Sequence, residues 1–245
     1  MKLVRAASAL STSVAACLSM LVAVDAANAG TTLNVTSTSV VYPTSPAVTA
    51  GLHLTSPAVN YSAVYVSPQY LNGTLDGNSV KIFAYCVDIL SESGPGTFTI
   101  VPLLDYLSGN VAKYNELAWL IGSAGGPVDK YSDAATQAAV WELMYDNSPS
   151  DISAGNLLLN NIHNDASLVS TANTLVGQAV ANSGTSSTGL QLFVAKNSDR
   201  QDMLFWMPSP VPEPGTWALM LVGFGFVGGA VRWARRREKL QPTAA

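Results

Sequence analysis

Cysteine and histidine are nearly missing from this 245-residue chain, which holds Cys17, Cys86, His53 and His163 and no others of either kind. Two cysteines, one of them inside an N-terminal apolar run, build no disulfide framework. Structural zinc needs clustered Cys and His, and the scattered acids form no EF-hand pattern, so no metal site and no cofactor is expected. A Cys-His hydrolase would need a histidine beside Cys86, and His163, in the polar stretch "NNIHND", reads as a solvated helix end. The glycines of "SGPG" and "SAGGP" read as turns rather than a phosphate loop, and the chain is not expected to be an enzyme. Basic residues are also few. Between Gly30 and Pro214, five Lys and Arg stand against fourteen Asp and Glu, so no nucleic acid partner is expected, because phosphate binding wants a basic face.

What the chain does have is concentrated at its ends. Residues 1–29 open with Lys2 and Arg5, continue as an apolar run of Ala, Leu, Val and Met, and close on Ala27-Asn28-Ala29. This order is that of a secretory signal cut before Gly30. Lipoprotein processing at Cys17 is the rival reading, and it would leave the apolar run from Leu18 to Val24 on the mature N-terminus. At the other end, no charge occurs from Gly215 to Val231, which predicts a transmembrane helix at the short limit of the ~17–25 residues that cross a bilayer. Trp217 and Trp233 stand near its edges, and Arg232, Arg235, Arg236, Arg237 and Lys239 would hold the end cytoplasmic by the positive-inside rule. Val211-Pro212-Glu213-Pro214, the apolar span and the Arg-rich end resemble the PEP-CTERM sorting signal of Gram-negative bacteria. The resemblance implies an exosortase-type processing enzyme as partner, transit through the inner membrane, and delivery to the cell surface or extracellular matrix.

Between these ends lie about 180 residues, the size of one domain. Residues 31–70 are rich in Thr, Ser, Val, Pro and Tyr and suit strands. "LNGTLDGN" supplies two turn signals in succession. "VKIFAYCVDIL", residues 80–90, is apolar on both alternating sets and predicts a central strand covered on both faces, with Cys86 buried. Residues 111–182 read as helical, with Ser132 or Asp133 as N-cap of the helix "SDAATQAAVWELMYD". Closing strands are expected at "LQLFVAK" and "DMLFWMP". The fold class expected is α+β, a β-rich N-terminal part with a helical middle packed on a central strand, plus the C-terminal transmembrane helix. The domain division is 1–29 signal, 30–209 extracellular domain and 210–245 sorting signal.

On the wheel of the helix "SDAATQAAVWELMYD", Gln137 falls at the centre of the apolar face, flanked by Val140, Trp141 and Met144. Burying a carboxamide without hydrogen bonds costs about 1–3 kcal/mol, so it needs a hydrogen-bond partner or a reaction partner. Cys86 could be the second: its thiolate attacking the Gln137 carboxamide carbon and expelling ammonia would leave an internal thioester. Tyr85-Cys86 and Thr136-Gln137-Ala138-Ala139-Val140-Trp141 resemble the paired motifs of the thioester domains of bacterial surface adhesins. The resemblance implies a Cys86–Gln137 thioester that captures an amine on a surface protein or polysaccharide target, with Tyr85, Thr136 and Trp141 shielding the bond. Asp88 either shares the face of Cys86 or is a polar strand end. The competing reading leaves Cys86 as a small buried hydrophobe and Gln137 bonded to a backbone carbonyl. The protein would then be a noncatalytic component of the exopolysaccharide or biofilm matrix.

Overall fold

The computed structural model describes residues 31–43, 47–146, 151–160, 162, 165–184, 189–208, 220–227 and 232. The expected signal peptide with Cys17, His163, the Val211–Pro214 motif and Arg235 to Arg237 lie outside the described residues. Two units are distinguished, residues 1–208 and 209–245.

The first unit is built on strands that pair far across the sequence. β1 (Thr32–Val40), β4 (Gln69–Leu75), β5 (Asn78–Cys86), β9 (Met203–Pro208), β8 (Leu190–Lys196) and β6 (Gly96–Pro102) follow one another round a closed barrel. Every neighbouring pair in it is antiparallel. Closure removes the unpaired edges that an open sheet would leave. Alternation fills the interior, with Leu33, Val35, Leu71, Phe98, Ile100, Phe193, Ala195 and Phe205 buried on one face of the paired strands. A smaller sheet orders β3 (Val59–Tyr65), β2 (Thr49–Leu54) and β7 (Leu157–Asn160), with β2 in the middle.

These pairings overturn the expected α+β division into a β-rich start and a helical middle. The unit is mostly β, a six-stranded barrel that draws strands from both ends of the domain, with helices inserted between them. Residues 111–182 are not helical throughout, because β7 interrupts them to pair with β2 from Leu157↔Leu54 to Asn160↔Gly51. Local periodicity carries no record of such a distant partner. The expected strand 80–90 ends at Cys86, and only its last three residues, Ala84 to Cys86, are buried without a break.

The expected C-terminal transmembrane helix is also corrected. Among the described residues no helix is long and apolar enough to cross a membrane, and the described helical stretch of the second unit is residues 220–227. The apolar run contains Gly223, Gly225, Gly228 and Gly229, and glycine costs an α-helix close to 1 kcal/mol per position relative to alanine.

Helix α1 (Leu103–Tyr106) is a single turn after β6, and α2 (Val111–Ala124) starts at Asn110, whose side chain accepts the Lys113 N–H. α3 (Lys130–Tyr145) is capped by Asp129, which accepts the N–H groups of Tyr131 and Ser132, three residues before the Ser132 read as a cap from sequence. Asp129 wins because it directly precedes the first helical residue and its short carboxylate reaches back over the turn. α4 (Ala166–Ala181) is capped by Asp165 in the same manner. α3 contacts α2, α4, β5 and β7, and Asp133 to Leu143 are buried without a break. A helix covered all round is the centre of its layer, and Ala134, Ala135, Ala138 and Ala139 let its neighbours approach closely.

Candidate functional site

The site grows out of an unequal length of two strands. β4 pairs with β5 no further than Gln69↔Ala84, so β5 outruns its neighbour by two residues. On its other side β5 is still paired, Cys86 with Met203, and the Val87 N–H donates to the Asp202 carbonyl. In an antiparallel ladder successive residues direct their N–H and C=O to opposite sides. With Val87 bonded toward Asp202, the N–H and C=O of Cys86 face the side that β4 has vacated.

Gln137 of α3 fills that place. The Cys86 N–H donates to Gln137 Oε1 at 2.9 Å, and Gln137 Nε2 donates to the Cys86 carbonyl at 2.9 Å. A side-chain amide thus stands in for the missing strand residue. Gln137 is fully buried and Cys86 is 2% exposed. The Cys86 thiol donates to the Asp88 carbonyl at 3.0 Å. Asp88 is therefore beyond the strand end, and its carboxylate accepts the Leu90 N–H at 2.8 Å.

Burial, and then the charges of Asp88 and Asp202, push the Cys86 thiol well above its ordinary pKa, while the neighbouring Trp141 side chain acts in the opposite sense. The sulfur therefore carries its proton at neutral pH. Trp141 follows Gln137 by one helical turn, is 3% exposed, and its buried indole N–H lies beside the Cys86 sulfur. Three of the residues singled out from sequence, Cys86, Gln137 and Trp141, are thus brought together.

Tyr85 and Thr136 lie elsewhere. Alternation along β5 turns Tyr85 to the face opposite Cys86, where its ring stacks on Trp206 at 6.1 Å and meets Phe83 edge-on at 5.3 Å. Its buried hydroxyl neighbours Thr136 and Gly126. The Thr136 hydroxyl donates to the Ser132 carbonyl at 3.0 Å, one turn back in its own helix.

The sequence reading missed the polar groups that surround this core. Tyr145 accepts the Ile89 N–H at 3.1 Å, and Tyr106 donates to Asp202 Oδ2 at 3.0 Å. Asp202 Oδ1 accepts the Asn197 N–H at 2.8 Å, and burial raises the Asp202 carboxyl. Asp202 stands in "NSDRQD" with no pattern to mark it, since only the β5–β9 pairing brings it near Cys86. Among the described residues no group of three or more His, Cys, Asp or Glu could hold a metal ion. His53 is on β2 in the smaller sheet, paired with Asn60 and Leu158.

Chemically the fork does two things at once. It satisfies the carboxamide, and it places the Cys86 N–H on the oxygen that would become negative if a thiol added to the Gln137 carbonyl carbon.

Residues 210–237 match the model of the PEP-CTERM protein-sorting motif. The motif implies export, transit through the membrane to the surface, and processing by an exosortase-type enzyme. No curated protein matches the chain. A solved structure, the N-terminal domain of the Streptococcus pyogenes pilus tip adhesin Cpa, is similar over 58% of this chain and 85% of that one. The identity is 14% and the TM-score 0.39, a likeness too slight to assign anything.

Proposed function

We propose that this exported chain, addressed to the surface by its sorting motif, works there through an internal thioester between Cys86 and Gln137 that captures amine groups on a target. The observation that carries the reading is the two-bond fork, because it holds the Gln137 carbonyl on the backbone of the very residue whose thiol would attack it. In the closing step the Cys86 sulfur bonds to Gln137 Cδ and the C–N bond breaks. The thiol proton leaves with the nitrogen as ammonia. No co-reactant is needed. The Cys86 N–H at 2.9 Å faces the oxygen as charge develops on it, and the apolar surroundings supplied by Ala138, Val140 and Trp141 keep water from the product.

The same fork supports a second reading. Both polar groups of the carboxamide are satisfied by Cys86, so Gln137 has a structural reason to be there without any reaction. On that reading the protein is a noncatalytic component of the extracellular matrix. It is not an enzyme on either reading.

Intact mass of the exported protein separates the two. With a thioester the folded chain is one ammonia lighter than its processed sequence, and Cys86→Ala and Gln137→Ala each restore the full mass. Methylamine adds its own mass to the native protein and frees one alkylatable thiol. Full mass in the untreated protein, with a thiol that labels on unfolding, leaves the matrix reading in place.

A further inference from the structure

The fork has a stereochemical consequence for whatever nitrogen Gln137 carries. One planar amide engages both the N–H and the C=O of Cys86, at 2.9 Å each. The hydrogen it uses on Nε2 must therefore be the one on the same side of the C–N bond as Oε1. In a substituted amide of the ordinary trans form, that side is taken by the substituent, and the remaining N–H stands opposite the oxygen.

We infer that the fork sorts amides by substitution: an unsubstituted carboxamide keeps it, a substituted one breaks it, and a captured amine is thereby held against release. The inference rests on the thioester reading above. Opening runs as follows. The amine nitrogen attacks Gln137 Cδ, the C–S bond breaks, and sulfur leaves with the bonding pair and takes a proton from the attacking nitrogen. The products are a thiol and an amide.

If the amine is ammonia, the amide is Gln137 as it stands in the structure. Its oxygen is again polarised by the Cys86 N–H, and the thiol can add to Cδ and return its proton to the departing nitrogen. If the amine is larger, the trans amide directs its first carbon at the Cys86 carbonyl oxygen. A nitrogen-to-oxygen separation of 2.9 Å has room for a hydrogen and none for a carbon. Keeping the fork would demand a cis amide, disfavoured roughly 70-fold or more. The adduct therefore leaves the fork, Oε1 loses its donor, and the reverse attack loses both polarisation and alignment.

The test uses the purified exported protein. After the ammonia deficit is measured, one portion is opened with ammonia and another with methylamine, free amine is removed, and intact mass is followed with time. The ammonia-opened protein recovers the deficit at least tenfold faster than the methylamine-opened protein. Equal recovery overturns the inference while leaving the thioester standing, and absence of any deficit in untreated protein removes the thioester reading and this inference with it. Hydrogen exchange at the Cys86 amide decides the case in which neither sample recloses. Protection is kept after ammonia and falls at least tenfold after methylamine, and equal protection in both overturns the inference.

Discussion

Asp133 shows how much a single residue can be asked to tolerate inside a helix layer. Its carboxylate accepts the Tyr42 hydroxyl at 2.6 Å and the Val128 N–H across both oxygens at 3.3 and 3.2 Å, yet burial still pushes its pKa up to about 6. A carboxyl whose folded pKa lies above its unfolded value adds stability that is full below the unfolded value and is lost as pH rises through the folded one. Thermal stability should therefore rise as pH falls from 7 towards 5. Asp133→Asn should flatten that rise by about 1–2 kcal/mol, solvent screening included, as read from unfolding curves of both proteins across that range. Gln137 offers the complementary case. Gln137→Ala leaves the N–H and C=O of Cys86 buried and unpaired, so it should cost about 2–4 kcal/mol. Cys86→Ala, which removes one small buried group, should cost about 1 kcal/mol. Chemical denaturation of the two variants gives the order, and equal costs would mean that Gln137 does not stand in for a strand.

At the scale of elements, β1 and β4 leave no room for a side chain where they meet at Gly73. The register shifts between Val35 and Ser37, and Gly73 lies opposite that irregularity. A Cβ on Gly73 would stand 1.9 Å from the Asn34 carbonyl oxygen, so the strands would have to part. Gly73→Ala should cost about 3 kcal/mol. Gly77, in the β4–β5 turn, has φ +82° with open space around its Cβ position, so Gly77→Ala should cost only the left-handed backbone penalty of about 1–2 kcal/mol. Paired melting curves check the order. Element positions are partly legible in the sequence: Asp76-Gly77 marks the turn between β4 and β5, and β8 and β9 lie at "LQLFVAK" and "DMLFWMP". The other turn signal, Asn72-Gly73, lies inside β4, where pairing with both β1 and β5 overrides it. Ser132 and Asp133 are both good caps by residue type, and only the backbone geometry shows that Asp129 is the residue just outside the helix.

At the scale of the whole molecule, β9 closes the barrel between β5 and β8 although it comes last in the domain. Ending the chain after Asp202 removes Met203, Leu204 and Phe205 from the core and leaves β5 and β8 each with an unpaired edge. Such a protein should lose cooperative unfolding altogether, as followed by circular dichroism, whereas removing the second unit after Pro208 should leave the transition intact. Residues 210–237 match a sorting motif, which implies delivery. Replacing Pro212, Glu213 and Pro214 with Ala should leave the melting temperature unchanged and abolish release to the surface, as seen by cell fractionation.

By itself the sequence determined the sorting motif and the suspects. A Pro-Glu-Pro motif followed by an apolar stretch and arginines is a contiguous signal, and contiguous signals need no folding to be read. A glutamine at the centre of an apolar helix face was enough to demand a partner for it. The tertiary structure alone decided the barrel, because its closure depends on β1, β6, β8 and β9 meeting across distances for which local periodicity has no term. It alone showed why Gln137 meets Cys86 at that point, two residues past the end of β4, where a strand has run out and a side-chain amide completes the pairing.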